Sequence, residues 1–347
     1  MNNRSVFFSF AAALIMAFAL GNTPLVAQGN VSPDEKKMAM AIEAAPDAAG
    51  KATAAAEFVK KYPQSSLRPV IAEKLADQIR DLTNADQKIA LAQQFKSAFN
   101  TPAEEELIMP VLIVGYADAK KPDEAFSTGS AFLAQHPDSV PVLVELMLLA
   151  TEQAKQRNNK FITPGEQYGT HAIELIEGNK KPVDMVDATW NEYKALLPRL
   201  YQSMGILGMV RGDRAATVTR LTKATELDPK DPFNYLLISG TVNDDYQDAA
   251  KHYQSMPEGA AKTAELQKVL ATLDRVIDAY AHFIALSEGN PQLATMRQQE
   301  MEDLEKYYKY RHDGKTDGMQ QLIDKYKNPA KPKDPFSLPQ ILPAARR

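Results

Sequence analysis

The side chains best suited to chemistry are five histidines, His136, His171, His252, His282 and His312, and two acidic clusters, Glu104 to Glu106 and Glu300 to Glu305. A zinc site needs imidazoles or carboxylates converging on one ion, commonly two histidines a helical turn apart, and a general base needs a neighbour that tunes it. No histidine here has another four residues away or a ligand cluster beside it. They read as surface or helix-end residues. The first acidic cluster opens a helix, where carboxylates meet the positive end of the dipole. The second reads as a solvated helix face without the glycine spacing of a calcium loop. The run Tyr307-Tyr308-Lys309-Tyr310-Arg311 mixes aromatics with cations, yet on a helix these side chains point to several faces and read as packing with snorkelling basic stems. No phosphate-binding glycine loop, nucleophile elbow or Ser-x-x-Lys pair is present. The sequence has no cysteine, which excludes disulfides, thiolate metal sites, cysteine nucleophiles and an acylated N-terminal cysteine. Its residues thus predict no catalytic group, no cofactor and no metal.

The 347 residues are 44% hydrophobic and 24% charged, which is ample for a buried core and unlike a disordered chain. The formal net charge is −4, and the first 27 residues carry only Arg4, so their removal makes the rest one unit more negative. That balance gives no general attraction to nucleic acid or anionic lipid, and leaves room for a local basic patch. Arg4, the apolar run Val6 to Leu20 and the small residues from Gly21 to Ala27 predict a secretory signal cleaved after Ala27. The run is shorter than the roughly 20 residues of a spanning helix, and Leu107–Val114 and Val142–Ala150 are shorter still. No membrane span is expected once the signal is removed.

Elements with helical periodicity fill the remainder. Ser32-Pro33-Asp34-Glu35 and Thr101-Pro102-Ala103-Glu104 each place a hydroxyl N-cap, a first-turn proline and a reaching glutamate in capping-box order. Ile71, Leu75 and Ile79, then Ile89, Ala92 and Phe95, recur at three and four. Pro198 predicts a kink, and the polar stretch Arg157 to Pro164 predicts a loop joining an N-terminal region, 28–157, to a C-terminal one, 158–327. From Ala260 to Glu288 a stripe of Leu266, Val269, Leu270, Leu273, Val276, Ile277, Tyr280, Phe283 and Ile284 predicts one long helix. Further helices are expected over 291–312 and 317–326. The tail from Asn328 to Arg347 carries five prolines and cannot be helical throughout.

Between Leu200 and Pro232 two helical patterns meet at Arg211-Gly212-Asp213, and the second stops at Leu227-Asp228-Pro229. The positions Tyr201, Met204, Gly205, Leu221 and Ala224 before Pro229 resemble the tetratricopeptide repeat, roughly 34 residues per unit. Gly205, Gly208 and Gly212 have the small-residue spacing that lets helices approach closely. Phe233, Leu236, Leu237, Tyr246, Ala249 and Tyr253 fit the next unit, with Asn243-Asp244-Asp245 as its inner turn. Leu112, Tyr116, Ala125, Phe132 and Pro137 fit an earlier, irregular one, from which Ile113 and Gly129 depart.

The resemblance implies an all-α solenoid of stacked helical hairpins presenting a concave surface to a protein or peptide partner. The inward positions map onto Arg199, Gln202, Ile206, Met209 and Val210 in one unit and Asp231, Asn234, Ile238, Thr241 and Val242 in the next. That largely apolar lining differs from a basic, Asn-rich carboxylate clamp and suits an apolar helix or extended segment. Pro335 to Pro343 of the tail is itself a candidate occupant, since its apolar side chains alternate with prolines. The function expected is a non-catalytic, exported binding scaffold, in the periplasm or secreted, serving envelope assembly. The alternatives are an accessory domain of an envelope enzyme and a small-ligand-binding helical protein.

Overall fold

The computed structural model describes residues 31–183, 185–329 and 331, and every described element is helical. The expected signal over Met1–Ala27 and the tail segment Pro335–Pro343 lie outside the described residues. Two compact units divide between Val142 and Leu143.

The first unit is a succession of antiparallel helices: α1 (Pro33–Ala44), α2 (Ala48–Lys61), α3 (Arg68–Arg80), α4 (Ala85–Ala98), α5 (Pro102–Asp118) and α6 (Pro122–Leu133). Both expected capping boxes close. Ser32 Oγ accepts from the Glu35 amide at 3.2 Å while Glu35 Oε2 accepts from the Ser32 amide at 2.7 Å. Thr101 and Glu104 exchange the same pair at 3.4 and 3.0 Å. Phe58, Ile79, Phe95, Phe99, Ile108 and Ile113 are almost wholly inaccessible and make the core. Their burial, at roughly 25 cal/mol per Å2 of apolar surface, is the main force holding these helices together.

The second unit takes up the chain within α7 (Val140–Lys155) and continues through α8 (Ile162–Glu177), α9 (Asp187–Ala195), α10 (Leu197–Arg211), α11 (Arg214–Leu227), α12 (Pro232–Ser255), α13 (Ala260–Leu286), α14 (Ala294–Arg311) and α15 (Met319–Tyr326). The expected loop over 157–164 is shorter: a turn and one 3-10 turn, Asn159–Phe161, lead into α8, which already includes 162–164. The α13 stripe is the spine of this core. Val269, Leu273, Val276, Ile277, Tyr280, Phe283 and Ile284 are buried against α12, α14 and α15, and Leu266 and Leu270 are partly covered.

Two expectations are corrected. Instead of a kink within one helix at Pro198, the chain ends α9 at Ala195, turns at Leu196 and starts α10, with the proline in the first turn where its missing N–H costs least. The inner turn at Asn243-Asp244-Asp245 does not form, and α12 runs unbroken for 24 residues. The α10–α11 turn has Gly212 at φ 84°, a left-handed position that glycine adopts freely. At 243–245 there is neither glycine nor proline. Asn and Asp cost a helix only about 0.6 kcal/mol each, and here their side chains find partners: Asn243 Oδ1 accepts from the Tyr307 hydroxyl at 2.9 Å, and Asp245 lies 3.4 Å from Arg214.

Candidate binding face and its polar network

The α10–α11 hairpin is closed by contact. Gly205 lies so near Leu221 that a Cβ would stand 2.7 Å from two of its carbons, so the helix spacing depends on the missing side chain. Asp213 then caps α11 by accepting from the Ala216 amide at 3.0 Å. With the hairpin fixed, α10 turns one side outward. Arg199 is exposed, Gln202 and Val210 are half-buried, Met209 is 41% exposed, and Ile206 at 8% contributes little surface.

Gln202 joins this helix to the next. Its amide nitrogen donates to Asp231 Oδ2 at 2.7 Å and Asn234 Oδ1 at 2.9 Å. Asp231 caps α12 through the Phe233 amide at 2.9 Å, and burial pushes its carboxyl above the usual range despite these donors. Asn234, Thr241 and Val242 are buried and unavailable to a partner, and Ile238 is half-buried against the α13 core. The ten expected positions therefore divide. Those on α10 share one accessible side, whereas those on α12 mainly bind it to its neighbours. The outward face of α12 carries Phe233, 46% exposed, a residue that fits the repeat positions.

Other ties were not legible in the pattern. Glu166 of α8 accepts from Arg211 at 2.5 Å and Arg220 at 2.7 Å, and Arg220 also donates to the Met204 carbonyl at 3.0 Å. This carboxylate, 9% exposed, links three helices. Glu300 is not on a solvated face: its Oε2 is buried with no hydrogen-bond partner, and burial, then the like charge of Asp303, raises its pKa to about 7. His282 is not at a helix end but stands within α13 between Tyr235 and Tyr326, ring centroids 4.6 and 3.3 Å away. Burial holds its imidazole below the usual value. In the tyrosine run, Tyr307 and Tyr308 are buried and Tyr310 is exposed.

The first unit brings a serine, a histidine and a glutamate together, and their geometry decides what they can do. The Ser139 hydroxyl donates to Glu106 Oε2 at 2.5 Å, and His136 Nδ1 lies 4.0 Å from Glu106 Oε1. A nucleophile is activated when the base receives its proton and an acid orients the base. Here the carboxylate is the hub and accepts the serine hydroxyl's hydrogen bond directly, an arrangement that fastens the turn between α6 and α7 to α5. Glu104 is similarly structural, taking two bonds from Arg68 at 2.6 and 2.8 Å with both side chains nearly buried. The first acidic cluster thus does more than meet a helix dipole. Among the described residues no cluster of three potential metal ligands occurs, and no helix is long and apolar enough to cross a membrane.

No family model matches the chain, and no curated protein does. A solved structure described as a tetratricopeptide repeat protein from Parabacteroides merdae ATCC 43184 is similar at 13% identity and a TM-score of 0.40, covering 86% of this chain and 100% of the other.

Proposed function

We propose that the mature chain is a non-catalytic scaffold, exported to the periplasm or beyond, that binds a protein or peptide segment in cell-envelope assembly. The observation that carries the binding reading is the α10 face. Arg199, Gln202, Met209 and Val210 follow one another on a helix whose position is fixed by Leu221 behind it and Asp231 beside it. A rigid, mixed polar and apolar side loses little freedom on association. Export is supported by Arg4, the apolar run Val6–Leu20 and the small residues up to Ala27, together with the absence of thiols to protect.

The mature protein, immobilised, is challenged with envelope extract beside its Met209→Asp variant. Retained proteins that disappear with the variant, at unchanged circular dichroism, support the reading; an identical retained set removes α10 as the binding face. Mass spectrometry of the exported protein should find Gln28 at its start, and retention of Met1–Ala27 would turn the segment into an anchor.

A further inference from the structure

The second unit also holds an open depression of about 760 Å3, where the α10–α11 turn meets α12 and α13. Three arginines reach it from three helices. Arg211 ends α10, Arg214 begins α11 and Arg275 stands on α13. The first two are already positioned: Arg211 by Glu166 and by Asp213 at 3.1 Å, Arg214 by Asp248 at 2.6 Å and more weakly by Asp245. Arg275 is exposed and has no ion pair or hydrogen bond among the described residues. Ala215 and Val218 supply an apolar part of the lining.

A guanidinium is planar, weakly hydrated and matched to a carboxylate in fork geometry, and arginines held by their own acids lose little freedom when a ligand arrives. Asp213 and Asp245 in the lining, with Glu166 and Asp248 beyond it, neutralise Arg211 and Arg214 and leave Arg275 as the lining cation without an acid of its own among the described residues. That balance favours a ligand with one or two carboxylates over a polyanion such as nucleic acid, whose affinity rises with each phosphate neutralised. The apolar lining beside Arg214 asks for an uncharged side chain next to the acid.

We propose that this depression binds an acidic peptide segment of a partner protein, one carboxylate meeting Arg275 and Arg214 while the neighbouring apolar side chain rests on Ala215 and Val218. The proposal rests on the reading of the chain as a peptide-binding scaffold and adds a second contact away from the α10 face. It is tested by fluorescence anisotropy with a labelled, C-terminally amidated peptide alternating Glu with Leu, and the same peptide with Gln for Glu. The expected results are binding of the Glu peptide about tenfold tighter than the Gln peptide, an energy of roughly 1.4 kcal/mol. A loss of similar size is expected in Arg275→Gln at unchanged melting temperature, and none in Lys251→Gln, an exposed cation of α12 outside the depression. Equal binding of the two peptides, undiminished binding by Arg275→Gln, or displacement of the peptide by an equal concentration of inorganic phosphate overturns it. A chain that captures envelope proteins through Met209 yet ignores the Glu peptide loses this site and keeps the scaffold reading. One that binds the peptide but captures nothing keeps the site and loses that face.

Discussion

Gly205 and Leu221 meet where the two helices of the α10–α11 hairpin are closest, with no room for a methyl group between them. Gly205→Ala should therefore lower stability by about 1–3 kcal/mol, the usual result of overpacking a fitted contact. Gly240, in the interior of α12, is the control, because a Cβ there meets nothing within 4 Å. Gly240→Ala should stabilise by about 0.5–1 kcal/mol through helix propensity alone. Urea denaturation of both variants checks the pair, and equal effects would contradict the close approach.

Arg68 and Glu104 form an enclosed ion pair in the first unit, their side chains 12% and 7% exposed. Removing one partner leaves the other charge buried, so Glu104→Leu should cost about 3–5 kcal/mol, and the double variant Arg68→Met with Glu104→Leu should recover most of that loss. Chemical denaturation of the three proteins decides it; a double variant as unstable as the single one would show that the pair contributes shape rather than charge.

Two carboxyls give opposite pH dependences. Burial works against ionisation of Glu104, but the Arg68 and Thr101 hydrogen bonds outweigh it and leave its pKa below 4.5. Its stabilisation is present above 4.5 and is lost as pH falls through the lower folded value. Glu300 is raised from 4.5 to about 7, so its contribution is complete below 4.5 and is lost as pH rises through 7. Melting of the wild type should fall between about pH 5 and pH 8, and Glu300→Gln should flatten that fall. An unaltered slope in the variant would assign the dependence to other groups.

The outward face of α12 gives a fourth expectation. Phe233 is 46% exposed and outside the α13 core, so Phe233→Ser should change melting by no more than about 0.5 kcal/mol equivalent. Phe283→Ala, at 0% exposure, should cost about 3–5 kcal/mol. Similar losses in the two would place Phe233 under cover.

What the sequence made legible was local. A hydroxyl three residues before a glutamate marked the starts of α1 and α5, and the apolar spacing from Val269 to Ile284 marked the core side of α13. What it left hidden depends on distant partners. Arg211 and Arg220 reach Glu166 across 45 and 54 residues, with nothing in the neighbourhood of any of them to announce the others. Glu300 sits in a polar run and reads as solvated, and its burial follows only from the packing of α14 on α12 and α13. The binding positions were half legible for the same reason. The repeat pattern put Asn234 and Val242 on an inward side, but a helix that does not stop at Asn243 carries those positions into contact with α10 and α13.

The unbroken α12 has a mechanical consequence. A helix of its 24 residues is a stiff rod of about 36 Å. Near its start Asp231 and Asn234 grip Gln202, and around its middle Asn243 and Gln247 hold the Tyr307 hydroxyl at 2.9 and 2.7 Å. Two helices separated by a turn would let the Gln202 and Tyr307 contacts shift independently in the joint; one unbroken helix fixes their spacing along its axis. The positions of α10 and α14 are thereby tied to one another through a single helix packed along α13.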